Sequence, residues 1–139
     1  MPSEAIHSIL IIDDDANNPN RLCDVVFEIN ASIQCILAVN ANEVLLIAKY
    51  FDLLPDIIFM GLALTKESGL QCLHALREIE ILKYIPIIIY FDLNRSEINS
   101  DVLLAAQKMG VSIFFSMPES PDVLKVIVAG IFFKGKSLA

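Results

Sequence analysis

The chain has 139 residues, room for a single domain. With 55% apolar and 19% charged residues it has ample material for a core, and intrinsic disorder is excluded. A net charge of -7 leaves no basic footprint for binding nucleic acid.

Mean hydropathy is high at +0.62. Yet the longest apolar runs, Ile57 to Leu64 and Val126 to Phe133, fall well short of the ~20 residues of a spanning helix, so membrane insertion is not expected. The first residues carry Glu4 and no Lys or Arg, and the run behind them, Ile9 to Ile12, is too short for a signal-peptide core. Cys23, Cys35 and Cys72 are odd in number and too widely spaced for a zinc or thioredoxin motif. They read as core filler in a reducing compartment, and the expected location is cytoplasmic.

Short apolar runs without helical period alternate with stretches whose apolar residues recur at three and four, a βα alternation. The first strand is predicted at Ser8 to Ile12. Asn18 is expected to cap the helix behind it, with Pro19 in the first turn. Leu22, Val25, Val26 and Ile29 share its inner face. A second strand spans Ser32 to Ala38. The next helix, Asn42 to Phe51, turns Val44, Leu45, Ile47, Ala48 and Phe51 inward and stops before Pro55.

The third strand, Asp56 to Met60, and the fourth, Ile87 to Phe91, are apolar on both faces, which marks central parallel strands. Between them Gly69 to Ile79 is helical, with Leu70, Leu73 and Leu76 inward. A polar loop from Asp92 to Ser100 precedes a helix through Val102 to Met109, ended by Gly110 as a left-handed cap. Ile113 to Phe115 is a short fifth strand and Asp122 to Phe133 a last helix. No repeats, linkers or low-complexity tracts interrupt the chain.

This alternation predicts one α/β domain over residues 1–139: a doubly wound sheet of five parallel strands, helices on both faces. Function belongs at the C-terminal ends of the strands. The deciding segments are Asp13-Asp14-Asp15, Gly61 to Lys66, Phe91-Asp92 and Ser116-Met117-Pro118.

An acidic pair directly after a hydrophobic first strand resembles the receiver domain of two-component response regulators (CheY-like). The resemblance runs from Ile9 to the last helix and implies a flavodoxin-like sheet in the order 2-1-3-4-5. The family's Pro-Asp pair, apolar residues, acceptor position and later glycine correspond to Pro55-Asp56, Ile57 to Met60, Gly61 and Gly69. Gly110 to Pro118 follows its glycine, aromatic, lysine, proline run, and Ile85 to Phe91 the strand that ends in Ser or Thr. In such a receiver two acidic residues and the acceptor carboxylate hold Mg²⁺, a lysine neutralises the phosphoryl oxygens, and a hydroxyl reports the new charge.

At the chemical positions this chain departs from the pattern. Gly61 stands where the acceptor aspartate belongs, Met117 in place of the lysine and Phe91 in place of the hydroxyl; Asp13 and Asp14 remain. The resemblance therefore implies a degenerate receiver, or pseudo-receiver: not an enzyme, requiring no cofactor, and binding Mg²⁺ at most weakly through Asp13 and Asp14. Asp56 lies roughly 16 Å from position 61 at about 3.3 Å per residue and cannot substitute. Thr65, Glu67, Ser68 and Asp92 lie on nearby loops, so phosphorylation at an unorthodox acceptor is the alternative. A further alternative is Asp13-x-Asp15 as a D-x-D nucleophile motif of a Mg²⁺-dependent phosphatase, but the flanking residues do not support it. His7 and His74 have no Ser or Cys partner at a recognisable spacing.

Without phosphorylation chemistry, function falls to protein contacts. Receivers use the fourth helix, fifth strand and fifth helix for partners, so a signalling protein, a histidine kinase or a second copy is expected there, with Ile127 and Ile131 on the contact surface. Tyr90, Phe114 and Phe115 occupy the region where the family couples pocket to surface, and Phe91 in the hydroxyl position is expected to lock one state. Ala139 ends the chain without an output domain, so it is either a stand-alone regulator or a piece of a larger protein.

Overall fold

The computed structural model of the chain describes residues 6–51, 54–61, 67–92 and 100–138. Five strands form one parallel sheet: β1 (Ser8–Ile12), β2 (Gln34–Ala38), β3 (Ile57–Gly61), β4 (Ile87–Phe91) and β5 (Ile113–Ser116). Their order is β2-β1-β3-β4-β5, as the resemblance implied. Five helices connect them: α1 (Asn17–Ile29), α2 (Ala41–Phe51), α3 (Glu67–Glu78), α4 (Ser100–Lys108) and α5 (Pro121–Leu138). A 3₁₀ turn, Glu80–Leu82, follows α3. Among the described residues no helix is long and apolar enough to cross a membrane.

Successive strand residues point to opposite faces, so the all-apolar strands feed two cores at once. Ile9, Ile11, Ile57, Phe59, Ile88 and Tyr90 pack on one side with Leu22, Val25 and Val26 of α1 and Leu124, Val128 and Phe132 of α5. Leu10, Ile12, Ile58, Met60, Ile87, Ile89 and Phe91 pack on the other with Val44 of α2, Leu73 and Leu76 of α3 and Ala106 of α4. Cys23 and Cys35 lie half-buried against the first cluster and Cys72 against the second, where burial raises the Cys72 thiol above its usual pKa.

Local chemistry sets the helix ends. The Asn40 side chain accepts from the Glu43 N–H at 2.9 Å while Glu43 accepts from the Val39 N–H at 2.8 Å, a reciprocal cap that starts α2. Gly110, at φ +94°, closes α4 in the left-handed region that any side chain resists. Gly110→Ala is expected to destabilise the fold by about 1–2 kcal/mol, which denaturant unfolding would read as a lower midpoint with an unchanged slope.

Four expectations change. Asn18 is no cap: α1 begins two residues earlier, after Ala16, and Asn18 is buried inside its first turn. Leu45 is 47% exposed, because α2 has one sheet-facing side and Val44 fills it. Ile131 is 5% exposed and Ile127 half-buried, both packed in the α1/α5 core, so neither forms the outer surface of α5. That surface is made by Val126 and Phe133, exposed to 72% and 77%. The inward placement of Phe51 and the loop expected between Asp92 and Ser100 lie largely outside the described residues.

Candidate functional site

Parallel strands bring the segments after β1, β3, β4 and β5 to one end of the sheet. Pairing places Gly61 beside Tyr90, and Phe91 beside Ser116. Asp13 follows β1 directly, with its N–H donating to the Ala38 carbonyl at 3.0 Å, so the backbone ladder continues one residue past the strand and fixes its carboxyl at the sheet end.

Asp13 is 8% exposed, and both carboxylate oxygens are engaged. Oδ1 accepts from the Asp15 N–H at 3.0 Å, which folds the acidic loop back on itself. Oδ2 accepts from the Tyr90 hydroxyl at 2.6 Å. Tyr90 itself is 1% exposed, its ring tilted against Phe115 with centroids 6.0 Å apart, and Phe115 meets Phe59 edge-on at 6.5 Å. An aromatic column within the α1/α5 core therefore aims the phenol at the acidic loop.

The space for this pairing exists because position 61 has no side chain. A Cβ built on Gly61 would lie 2.3 Å from Asp13 Oδ2, 2.7 Å from Asp13 Cγ and 2.8 Å from Tyr90 Cζ. The carboxyl and the phenol thus fill the volume that a side chain at the end of β3 would need. Glycine here serves close packing rather than backbone freedom.

The remaining positions close the site with apolar groups or structural bonds. Met117 is 9% exposed within the α1/α5 core, its N–H donating to the Phe91 carbonyl at 2.8 Å. Phe91, 8% exposed, points to the opposite core. Phe114 is half-buried on the Phe91 side and Phe115 on the Tyr90 side. Asn18 reaches across from α1 to donate to Asp92 Oδ2 at 3.1 Å; its Oδ1 is buried without a hydrogen-bond partner among the described residues. Arg21 of α1 donates to the carbonyls of Pro118 and Glu119, so α1 ties the loops after β4 and β5 together.

Asp14 is exposed and Asp15 half-buried. Among the described residues no three His, Cys, Asp or Glu side chains converge as a cation site. Asp13 offers a metal two oxygens that already accept hydrogen bonds, so this arrangement does not fit Mg²⁺ unless the Tyr90 contact opens. The hollow beside the acidic loop, lined by Asp13, Asp14, Asp15, Pro19, Leu37 and Val39 among others, measures 160 Å³, below the usual range for ligand pockets of roughly 300–1,000 Å³.

Asp56 lies at the other end of the sheet, where its Oδ2 accepts from the backbone N–H groups of His7 and Ser8 at 2.7 and 3.1 Å and fixes the entry to β1. His7 and His74 are exposed. Thr65 and the side chains of Glu67 and Ser68 fall outside the described residues. Sequence reasoning missed the Tyr90–Asp13 contact; its one signal was a glycine at the end of β3 together with a bulky polar aromatic at the end of β4.

No protein-family model matches the chain, and no curated protein matches it by sequence. Solved structures do match its fold. The phosphorylated cyanobacterial phytochrome response regulator RcpA aligns with a TM-score of 0.75 at 19% identity, over 97% of each chain. The signal receiver domain of a signal transduction histidine kinase from Syntrophus aciditrophicus gives 0.70 at 18% identity, over 94% of this chain and 90% of the other. The chemotaxis response regulator CheY4 of Vibrio cholerae gives 0.68 at 17% identity, over 91% and 99%. The fold is therefore the CheY-like receiver fold, and the acidic loop and the ends of β3, β4 and β5 occupy the end of the sheet where such a fold places its function.

Proposed function

We propose that this chain is a receiver-like module of two-component signal transduction, a pseudo-receiver that is not phosphorylated at the end of β3 and acts in the cytoplasm through protein contacts. The observation that carries this reading is Gly61, whose missing side-chain volume is filled by the hydrogen-bonded Asp13 and Tyr90. Phosphoryl transfer to a receiver needs a carboxylate nucleophile, a cation and charge compensation. At these positions stand a glycine, an engaged Asp13 and a buried methionine.

The same geometry argues against a D-x-D phosphatase. Its nucleophile would be Asp13, which is buried and accepts a hydrogen bond on each oxygen, contacts that lower its reactivity toward a substrate phosphorus. No enzymatic activity and no required cofactor belong to this reading.

Partners of the proposed module are a signalling protein such as a histidine kinase, or a second copy, on the face of α4, β5 and α5. Leu104 of α4 and Val123, Val126 and Phe133 of α5 are exposed apolar residues that such a partner would cover. Tyr90 and Phe91, both buried and packed into opposite cores, support a single locked state.

Titration with Mg²⁺ and then beryllofluoride, which mimics a phosphoryl group on a carboxylate, tests the reading by amide NMR. Beryllofluoride is expected to add no shift to those of Mg²⁺ alone at Asp13, Gly61, Tyr90 or Asp92. A saturable response at these amides would overturn it.

A further inference from the structure

At the opposite end of the sheet from the acidic loop, where β4 and β5 begin, lies a hollow of 570 Å³. That is well within the usual size of a small-molecule site. The end of α3, the segment leading into β4 and the turn between α4 and β5 build its walls. Arg77, Lys83 and Lys108 line it, with His74 and one carboxylate, Glu78; Pro86, Ile113 and the Tyr84 ring supply apolar surface. Three of the chain's 10 basic residues thus meet at one hollow in a protein of net charge -7.

Arg77 is held rigidly. Its Nε donates to the Met109 carbonyl at 3.0 Å, and its Nη1 to the carbonyls of Lys83 and Ile85 at 3.0 and 3.1 Å. Nη2 donates to no protein group among the described residues, and it lies beside Gly110, where even an added Cβ would sit 3.5 Å away. Among the described residues no carboxylate forms an ion pair with Arg77, Lys83 or Lys108. Burial lowers the Arg77 pKa from its usual value, the mark of a guanidinium taken partly out of water without a counter-charge. The C-termini of α3 and α4 also face this end, but at about half a negative charge each they and Glu78 do not cancel three cations.

We propose that this hollow binds a small amphipathic organic anion, its oxyanion head on the free Nη2 of Arg77 beside Lys83 and Lys108, and its aromatic or branched body against Pro86, Ile113 and the Tyr84 ring. A fixed guanidinium with an unused donor is preorganised for an oxyanion, because its ordering cost is met by the three carbonyls when the chain folds. Flexible lysines at the same hollow add attraction without dictating geometry. The hollow is separate from Asp13 and Gly61, so the proposal is independent of the chain's phosphorylation chemistry.

Amide NMR titration of the intact chain with phenyl phosphate, phenylacetate and the neutral 2-phenylethanol tests it. Saturable shifts are expected at Lys83, Tyr84, Gly110 and Ser112 with at least one anion, at a Kd on the order of 1 mM for ligands this small. The tighter anion identifies the preferred head. The neutral alcohol is expected to bind roughly tenfold more weakly, and a Lys83→Glu, Lys108→Glu double variant to lose roughly tenfold in anion affinity while keeping Arg77 and its carbonyl contacts. The proposal is overturned if neither anion moves these amides, if shifts appear only elsewhere, if the alcohol binds equally well, or if the double variant binds as the parent does.

Discussion

Gly61→Ala is expected to destabilise the protein by about 2–3 kcal/mol, a large effect for one methyl group at the end of a strand. The new Cβ would lie 2.3 Å from Asp13 Oδ2 and 2.8 Å from Tyr90 Cζ, distances that require both side chains to move. Asp13 is tethered by the Asp15 N–H, and Tyr90 by its packing on Phe115, so movement breaks contacts rather than shifting loose groups. Gly61→Asp, the substitution that would supply a carboxylate at this position, adds a second acid beside Asp13 and is expected to cost about 3–4 kcal/mol. Pairing Gly61→Ala with Tyr90→Val separates this clash from general strain. Denaturant unfolding of the two single variants and the double variant should give a favourable coupling of at least about 1 kcal/mol, since the smaller residue vacates the space the methyl needs. Additive costs would mean that Tyr90 does not fill it.

Tyr90→Phe is expected to cost about 2 kcal/mol, although it changes one buried atom. The ring remains, and with it the contact to Phe115 and the α1/α5 core. What is lost is the hydroxyl donating at 2.6 Å to Asp13 Oδ2, leaving a buried carboxyl oxygen short of a donor; hydrogen bonds to charged groups contribute about 1.5–3 kcal/mol. A Tyr→Phe change at an exposed site such as Tyr84 serves as the control, with an expected effect within about 0.5 kcal/mol. Equal unfolding midpoints for the two variants would show that the phenol does not hold the acidic loop.

Much of the fold was legible in the sequence because parallel sheets write strong patterns. Ile87 to Phe91 is apolar on every residue, which suits only a strand covered on both faces, and both of its cores are present. Gly110 ends α4 with the positive φ that its position after Met109 implied. Patterns that depend on how helices sit against the sheet were less legible. Leu45 and Ile131 each occupy plausible helical positions, but the small rotation that decides which residues meet the sheet comes from packing rather than from period. Asn18 has a capping residue's chemistry, yet its partner Asp92 is 74 positions away. Exposed Leu37, Val39, Leu45, Leu46, Tyr50 and Leu54 on and around α2 and the edge strand β2 likewise escaped notice, since composition alone does not say which apolar residues remain outside.

At the site, the departures from the receiver pattern were readable directly as Gly61, Phe91 and Met117. Their consequence was not. That Tyr90 turns toward Asp13 follows from strand register, which pairs Gly61 with Tyr90 across β3 and β4 and leaves the phenol an open path over the glycine. Neither residue identifies the contact alone; the pair does once the sheet is assembled.

The most direct test of the central claim is the intact mass of the native chain after incubation with Mg²⁺ and acetyl phosphate, a small-molecule phosphodonor able to load a competent receiver without its kinase. The account predicts an unchanged mass, because no carboxylate nucleophile stands at the end of β3 and Asp13 has both oxygens engaged. A mass increased by one phosphoryl group on a carboxylate would contradict it and identify the chain as a phosphorylated receiver with an acceptor elsewhere at that end of the sheet.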